Sequence, residues 1–126
     1  MSKKILIADD DQGIVDAVQM MLEFSGYDVA FTYNGKDVME LKQPDLPDLI
    51  LLDIWMSGVD GRDVCRKLKE HEQTRHIPVL MISASKNVAG SVMEVGADGF
   101  LPKPFDMDQL INKIEELLAT DSTQAP

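Results

Sequence analysis

Apolar and polar positions along this chain follow two periods, and the two take turns. Ile5-Leu6-Ile7-Ala8 is apolar without interruption, the pattern of a strand covered on both faces. Ile14, Val15, Val18, Met21 and Leu22 then follow the stripe of an amphipathic helix, with Gly26 placed to close it. Tyr27–Thr32 reads as a second strand. Asn34-Gly35 marks a turn, and Val38 with Leu41 predicts a short helix. Pro44 and Pro47 punctuate the chain before Leu49-Ile50-Leu51-Leu52, the strongest strand signal present. Val64, Cys65 and Leu68 predict a third helix, and His76-Ile77-Pro78 leads into another apolar run, Val79–Ile82. Val88–Val95 predicts a short helix ending at Gly96, and Phe100-Leu101 a short strand. Leu110, Ile111, Ile114, Leu117 and Leu118 repeat the stripe of the first helix, with Asp106 as N-cap and Gln109 as its capping-box partner.

The order is five strand–helix units. Three of the strands are apolar throughout, so helices must cover both faces of the sheet they form. The expected fold is α/β, an open doubly wound (βα)5 domain with a parallel five-stranded sheet. One domain is expected over residues 1–120, followed by a polar, frayed tail over 121–126.

Composition narrows the function classes. The chain has 126 residues, 44% of them hydrophobic, and a net charge of −10. That charge opposes binding to a phosphate backbone or an anionic membrane, both of which need clustered Lys and Arg. No stretch approaches a membrane span, and Met1-Ser2-Lys3-Lys4 runs directly into the first strand without room for a signal peptide. Cys65 is the one cysteine, so an internal disulfide is excluded. It reads as a small buried apolar residue, and the cytoplasm is the expected compartment.

In such a fold, ligands bind beyond the carboxyl ends of the strands. The residues there are Asp9, Asp10 and Asp11 after the first strand, Asp53 after the third, Ser83 after the fourth and Lys103 after the fifth. Clustered carboxylates point to a hard divalent cation such as Mg²⁺. A further carboxylate can act as nucleophile toward a phosphoryl group, and a lysine and a hydroxyl can stabilise the charge on the moving oxygens. Asp11 also stands where a helix N-cap belongs, and the cap is the favoured reading. No Gly-rich phosphate loop follows the first strand. His71 and His76 read as surface residues.

Four stretches, Lys4–Asp11, Pro47–Gly61, Ile77–Ala84 and Gly96–Phe105, resemble in order and spacing the receiver domains of two-component response regulators, the CheY-like superfamily. The resemblance implies that Asp9 and Asp10 bind Mg²⁺, and that Asp53 is the phosphoacceptor and also touches the metal. It places a metal-binding backbone carbonyl at Trp55. Ser83 matches the switch hydroxyl, Phe100 the aromatic switch position and Lys103 the family's lysine, in a Lys103-Pro104 bond that is often cis. The implied function is a switch. A histidine kinase or histidine phosphotransfer protein donates a phosphoryl group to Asp53, and the Ser85–Leu118 face answers to an unidentified downstream protein. The domain modifies only itself and has no independent substrate. Monomer and phosphorylation-dependent homodimer both remain open, as does a receiver excised from a longer chain.

The chain departs from the family pattern in three places. Ser57 replaces a common proline, Trp55 is large for its position, and Ser85–Val95 looks shorter than usual. The last departure keeps one alternative in view, a pseudo-receiver acting as a phosphorylation-independent interaction module. An aspartate-nucleophile phosphatase is opposed by Trp55, which stands where such enzymes carry a second aspartate.

Overall fold

The uninterrupted apolar runs become the interior of a parallel sheet. The structure is a computed structural model that describes residues 3–41, 44–56 and 58–124, without the side chains of Lys86 and of residues 120–124. Its elements run β1 (Lys4–Ala8), α1 (Gln12–Phe24), β2 (Asp28–Thr32), α2 (Gly35–Met39), β3 (Leu49–Asp53), β4 (Trp55–Met56), β5 (Val59–Asp60), α3 (Gly61–Glu70), β6 (Val79–Ser83), α4 (Ala89–Glu94), β7 (Gly99–Pro102) and α5 (Met107–Gln124). The main sheet has the order β2-β1-β3-β6-β7, and every pairing in it is parallel. The expected doubly wound architecture is therefore present.

Side-chain alternation divides each central strand between two cores. Ile5, Ile7, Leu49, Leu51, Leu80 and Ile82 pack with Val15, Val18 and Leu22 of α1 and with Leu110 and Ile114 of α5. Leu6, Ala8, Ile50, Leu52, Val79 and Met81 pack on the opposite face with Val38, Val64, Cys65, Leu68 and Val92 of α2, α3 and α4. All five residues of β3 and of β6 are buried, as their unbroken apolar sequence requires. The edge strand β2 is only partly buried.

The helix caps follow the sequence closely. Asp11 Oδ1 accepts from Ile14 N at 3.2 Å, so Asp11 is the N-cap of α1. Asp106 and Gln109 form the reciprocal capping box, with Gln109 N donating to Asp106 Oδ1 at 2.8 Å and Asp106 N to Gln109 Oε1 at 3.0 Å. Gly26 has φ +95°, a left-handed conformation just past the α1 C-cap, Ser25.

Several expectations are corrected. Asn34 is an N-cap rather than part of a free turn, its side chain accepting from Asp37 N, and Gly35 opens α2. A two-residue antiparallel hairpin, β4–β5, follows β3 and was not expected. The helix expected over Val88–Val95 divides into a 3-10 turn, Lys86–Val88, and α4. α5 runs from Met107 to Gln124. Ser57 lies outside the described residues. His71 and His76 are exposed, as expected.

Candidate functional site

Strand register brings the predicted residues together. The sheet reverses its winding between β1 and β3, and at such a switch point a crevice opens beyond the carboxyl ends of the strands. Ala8 pairs with Leu52, so the chains leave the sheet level with one another, with Asp9 beside Asp53. Asp53 pairs with Ile82 and Ser83 with Pro102, which carries the same edge across to Lys103.

Asp9 is fully buried and Asp53 nearly so, at 0% and 7% exposure. A carboxylate withdrawn from water this far needs partners. Asp9 Oδ1 accepts from Asp11 N at 3.0 Å, and its Oδ2 accepts from Lys103 Nζ at 3.0 Å. Lys103 Nζ is also 3.6 Å from Asp53 Oδ1. One ammonium thus serves two carboxylates. Burial alone would depress the Lys103 pKa, but the Asp9 hydrogen bond and the charges of Asp53 and Asp9 outweigh it and hold the pKa above its ordinary value. Asp53 is pushed up to about 6, first by burial and then by the charge of Asp9, against the opposing pull of Lys103.

Asp10 is the exposed member of the group. Asp9, Asp10 and Asp53 each offer a carboxylate oxygen within 4.8 Å of the others. At that separation each pair of charges repels by roughly 3 kcal/mol at an effective dielectric of about 20. A single lysine cannot neutralise three such groups. An all-oxygen donor set with surplus negative charge suits a hard divalent cation, Mg²⁺ above all. Asp11 is not in this group and serves as the cap instead.

Ser83 is buried, and its Oγ accepts from Ser85 N at 3.0 Å. Its carbonyl accepts from Lys103 N at 2.8 Å, so the hydroxyl and the lysine sit on adjacent strands joined by a backbone hydrogen bond. The Lys103-Pro104 peptide is cis. Phe100 is partly buried and packs on the core beneath α3 and α4.

The loop after Asp53 is shaped by the hairpin. Trp55 pairs with Asp60 and Met56 with Val59, and Gly58 turns the chain with φ +77°. Trp55 is 58% exposed. Asp60 caps α3 by accepting from Arg62 N at 2.8 Å. The side-chain hydrogen bonds from Arg62 hold the Asp60 carboxyl below its ordinary pKa. Arg62 was not singled out from the sequence, where nothing distinguishes it from any charged residue in a helix's first turn.

The fold and the carboxylate pocket define a class: a doubly wound α/β domain with three clustered carboxylates and a lysine at one sheet edge. Residues 5–115 match the response regulator receiver domain. The chain belongs to the response regulator receiver domain family. It is 40% identical over 117 residues to the DNA-binding dual master transcriptional regulator RpaA of Synechocystis sp., covering 91% of this chain and 48% of that protein. It is 35% identical over 120 residues to the response regulator MprA of Mycobacterium ulcerans, covering 94% of this chain and 51% of that one. The chain therefore spans about half the length of these curated relatives. Among solved structures, a CheY-like receiver domain protein from Methanospirillum hungatei superposes with a TM-score of 0.87 at 27% identity, covering 99% of this chain and 100% of that one. Among the described residues, no helix is long and apolar enough to cross a membrane.

Proposed function

We propose that this chain takes a phosphoryl group onto Asp53 from the phosphohistidine of a histidine kinase or a histidine phosphotransfer protein, and that the modification switches a protein-interaction face. The observation that carries this reading is the convergence of Asp9, Asp10, Asp53 and Lys103 at one end of the sheet. Asp53 is the nucleophile. Its carboxylate oxygen forms a bond to phosphorus while the phosphorus–nitrogen bond breaks, and the electron pair of that bond stays on the imidazole nitrogen of the donor. Lys103, already 3.6 Å from Asp53, would neutralise the arriving phosphoryl oxygens. Ser83 would exchange its bond to Ser85 N for one to the phosphoryl group, and Phe100 would repack in response.

Mg²⁺ would be held by Asp9, Asp10, Asp53 and the Trp55 carbonyl. It would supply charge neutralisation for the incoming phosphoryl oxygens. The protein modifies itself and turns over no separate substrate, and its output passes through contact with another protein in the cytoplasm.

Incubation with Mg²⁺ and acetyl phosphate should add the mass of one phosphoryl group to the parent chain and none to Asp53→Asn. Steady phosphate release from unrelated monoesters would favour a phosphatase instead. The exposed Trp55 side chain, close to the acceptor in sequence, should slow hydrolysis of the acyl phosphate. Trp55→Asn should then lose its phosphoryl group severalfold faster than the parent in a single-turnover decay. An equal or slower decay would remove Trp55 from that role.

A further inference from the structure

Arg62 faces three separate elements at once. Its Nε donates to Asp60 Oδ1 and Oδ2 at 3.0 and 3.2 Å, and its Nη2 to Asp60 Oδ2 at 2.7 Å. Its Nη1 donates to Ser91 Oγ in α4 at 3.0 Å. Its guanidinium carbon lies 5.3 Å from the centre of the Trp55 ring, a cation–π distance. A planar fork with five donors can make these contacts together, and an ammonium cannot. Both members of the Asp60–Arg62 pair are only 24% exposed at the side chain, so the pair is partly shielded from water.

The three partners are not equivalent. Trp55 lies two residues past Asp53, and Asp60 is its partner across the β4–β5 hairpin, so both belong to the loop that leaves the acceptor. Ser91 belongs to α4, and its hydroxyl also donates to Val88 O at 2.8 Å at the start of that helix. α4 is otherwise lightly held. It has six residues, no side-chain cap and one buried residue, Val92. An element with so few anchors lies at the low-stability end of a fold, where one charge-assisted hydrogen bond carries weight.

We propose that Arg62 is a positioning residue that ties the acceptor loop to α4, so that a change at Asp53 reaches α4 through Trp55, Asp60 and Ser91. The inference rests on the reading of Asp53 as phosphoacceptor. It describes a path along β4, β5, α3 and α4, separate from Ser83 and Phe100 on β6 and β7. Coupling of this kind is reciprocal, so α4 must also influence the affinity of the acceptor site for a phosphoryl mimic.

The test is hydrogen exchange at the α4 amides of the full chain, with and without Mg²⁺ and beryllofluoride, and with fluorine NMR reporting beryllofluoride binding. The parent should change its α4 exchange when beryllofluoride binds. Ser91→Ala and Arg62→Ala should bind beryllofluoride yet lose most of that change, with an affinity altered about 5-fold or more. Ser91→Thr, which keeps the hydroxyl, should respond like the parent. If beryllofluoride binds but α4 does not respond in the parent, or responds undiminished in Ser91→Ala, the inference is overturned while the acceptor reading stands. If beryllofluoride does not bind the parent at all, both are overturned.

Discussion

Gly61→Ala will destabilise this protein by about 3 kcal/mol, near the top of the usual range for overpacking, and lower its melting temperature by roughly 10 °C. Helix propensity alone predicts the opposite sign, because Gly61 begins α3 and alanine is the better helix former by about 1 kcal/mol. Packing decides. A Cβ at Gly61 would run into the carbonyl oxygen of Asp53 and sit 3.0 Å from Ile54 Cα. Those atoms are backbone, at the end of a fully buried strand, and cannot swing aside as a side-chain tip would. Whatever does yield also moves Asp53, so phosphoryl uptake should fall together with stability. Thermal unfolding of the two proteins checks the sign. An unchanged or higher melting temperature would show that the close approach of α3 to the acceptor loop does not constrain the fold.

The second large effect has the other sign. Without divalent cation and near neutral pH, Asp53→Asn should stabilise the fold by about 1–3 kcal/mol. Burial and the neighbouring charge of Asp9 raise the Asp53 pKa from 3.8 to about 6. The folded state therefore binds the Asp53 proton more tightly than the unfolded state does. Stability from this group is present in full below 3.8 and is lost as pH rises through about 6. Asparagine carries no charge to lose, so its advantage should be complete above about 6 and should shrink to little as pH falls toward 3.8. Mg²⁺ works against that advantage, because a cation that binds only the folded parent stabilises it by mass action. Denaturant unfolding across this pH range, with and without Mg²⁺, measures both effects. A parent as stable as the variant at neutral pH without metal would mean that the carboxylates do not repel as drawn.

The convergence of Asp9, Asp10, Asp53 and Lys103 is legible in the sequence because these residues sit at strand ends, and the strand ends are legible. Runs such as Leu49–Leu52 and Val79–Ile82 are apolar on both faces, and no other structure accommodates them so simply. The residue that follows each run lands at the binding edge as a consequence of topology. Caps were legible for a similar reason: Asp11, and Asp106 with Gln109, act within one turn of their own positions.

Features that depend on two distant segments were not legible. The β4–β5 hairpin has two residues on each side, too few to show a period. Asn34 reads as a turn residue in the sequence because a side chain that accepts from a nearby amide serves turns and caps alike. Arg62 acquires its role only when α4 brings Ser91 to within 3.0 Å of it. The φ of Gly61 is not in the left-handed region. The reason for glycine there is the nearness of the Asp53 carbonyl, which no local pattern records.

The proposed switch depends on a covalent event on one carboxylate. Its most direct test is to treat the chain with acetyl phosphate, with Mg²⁺ or with chelator, reduce the acyl phosphate with borohydride and locate the altered residue by peptide mass. A single residue, Asp53, should be modified, with Mg²⁺ and not in chelator. Modification at another residue, or at Asp53 to the same extent without the metal, would contradict it.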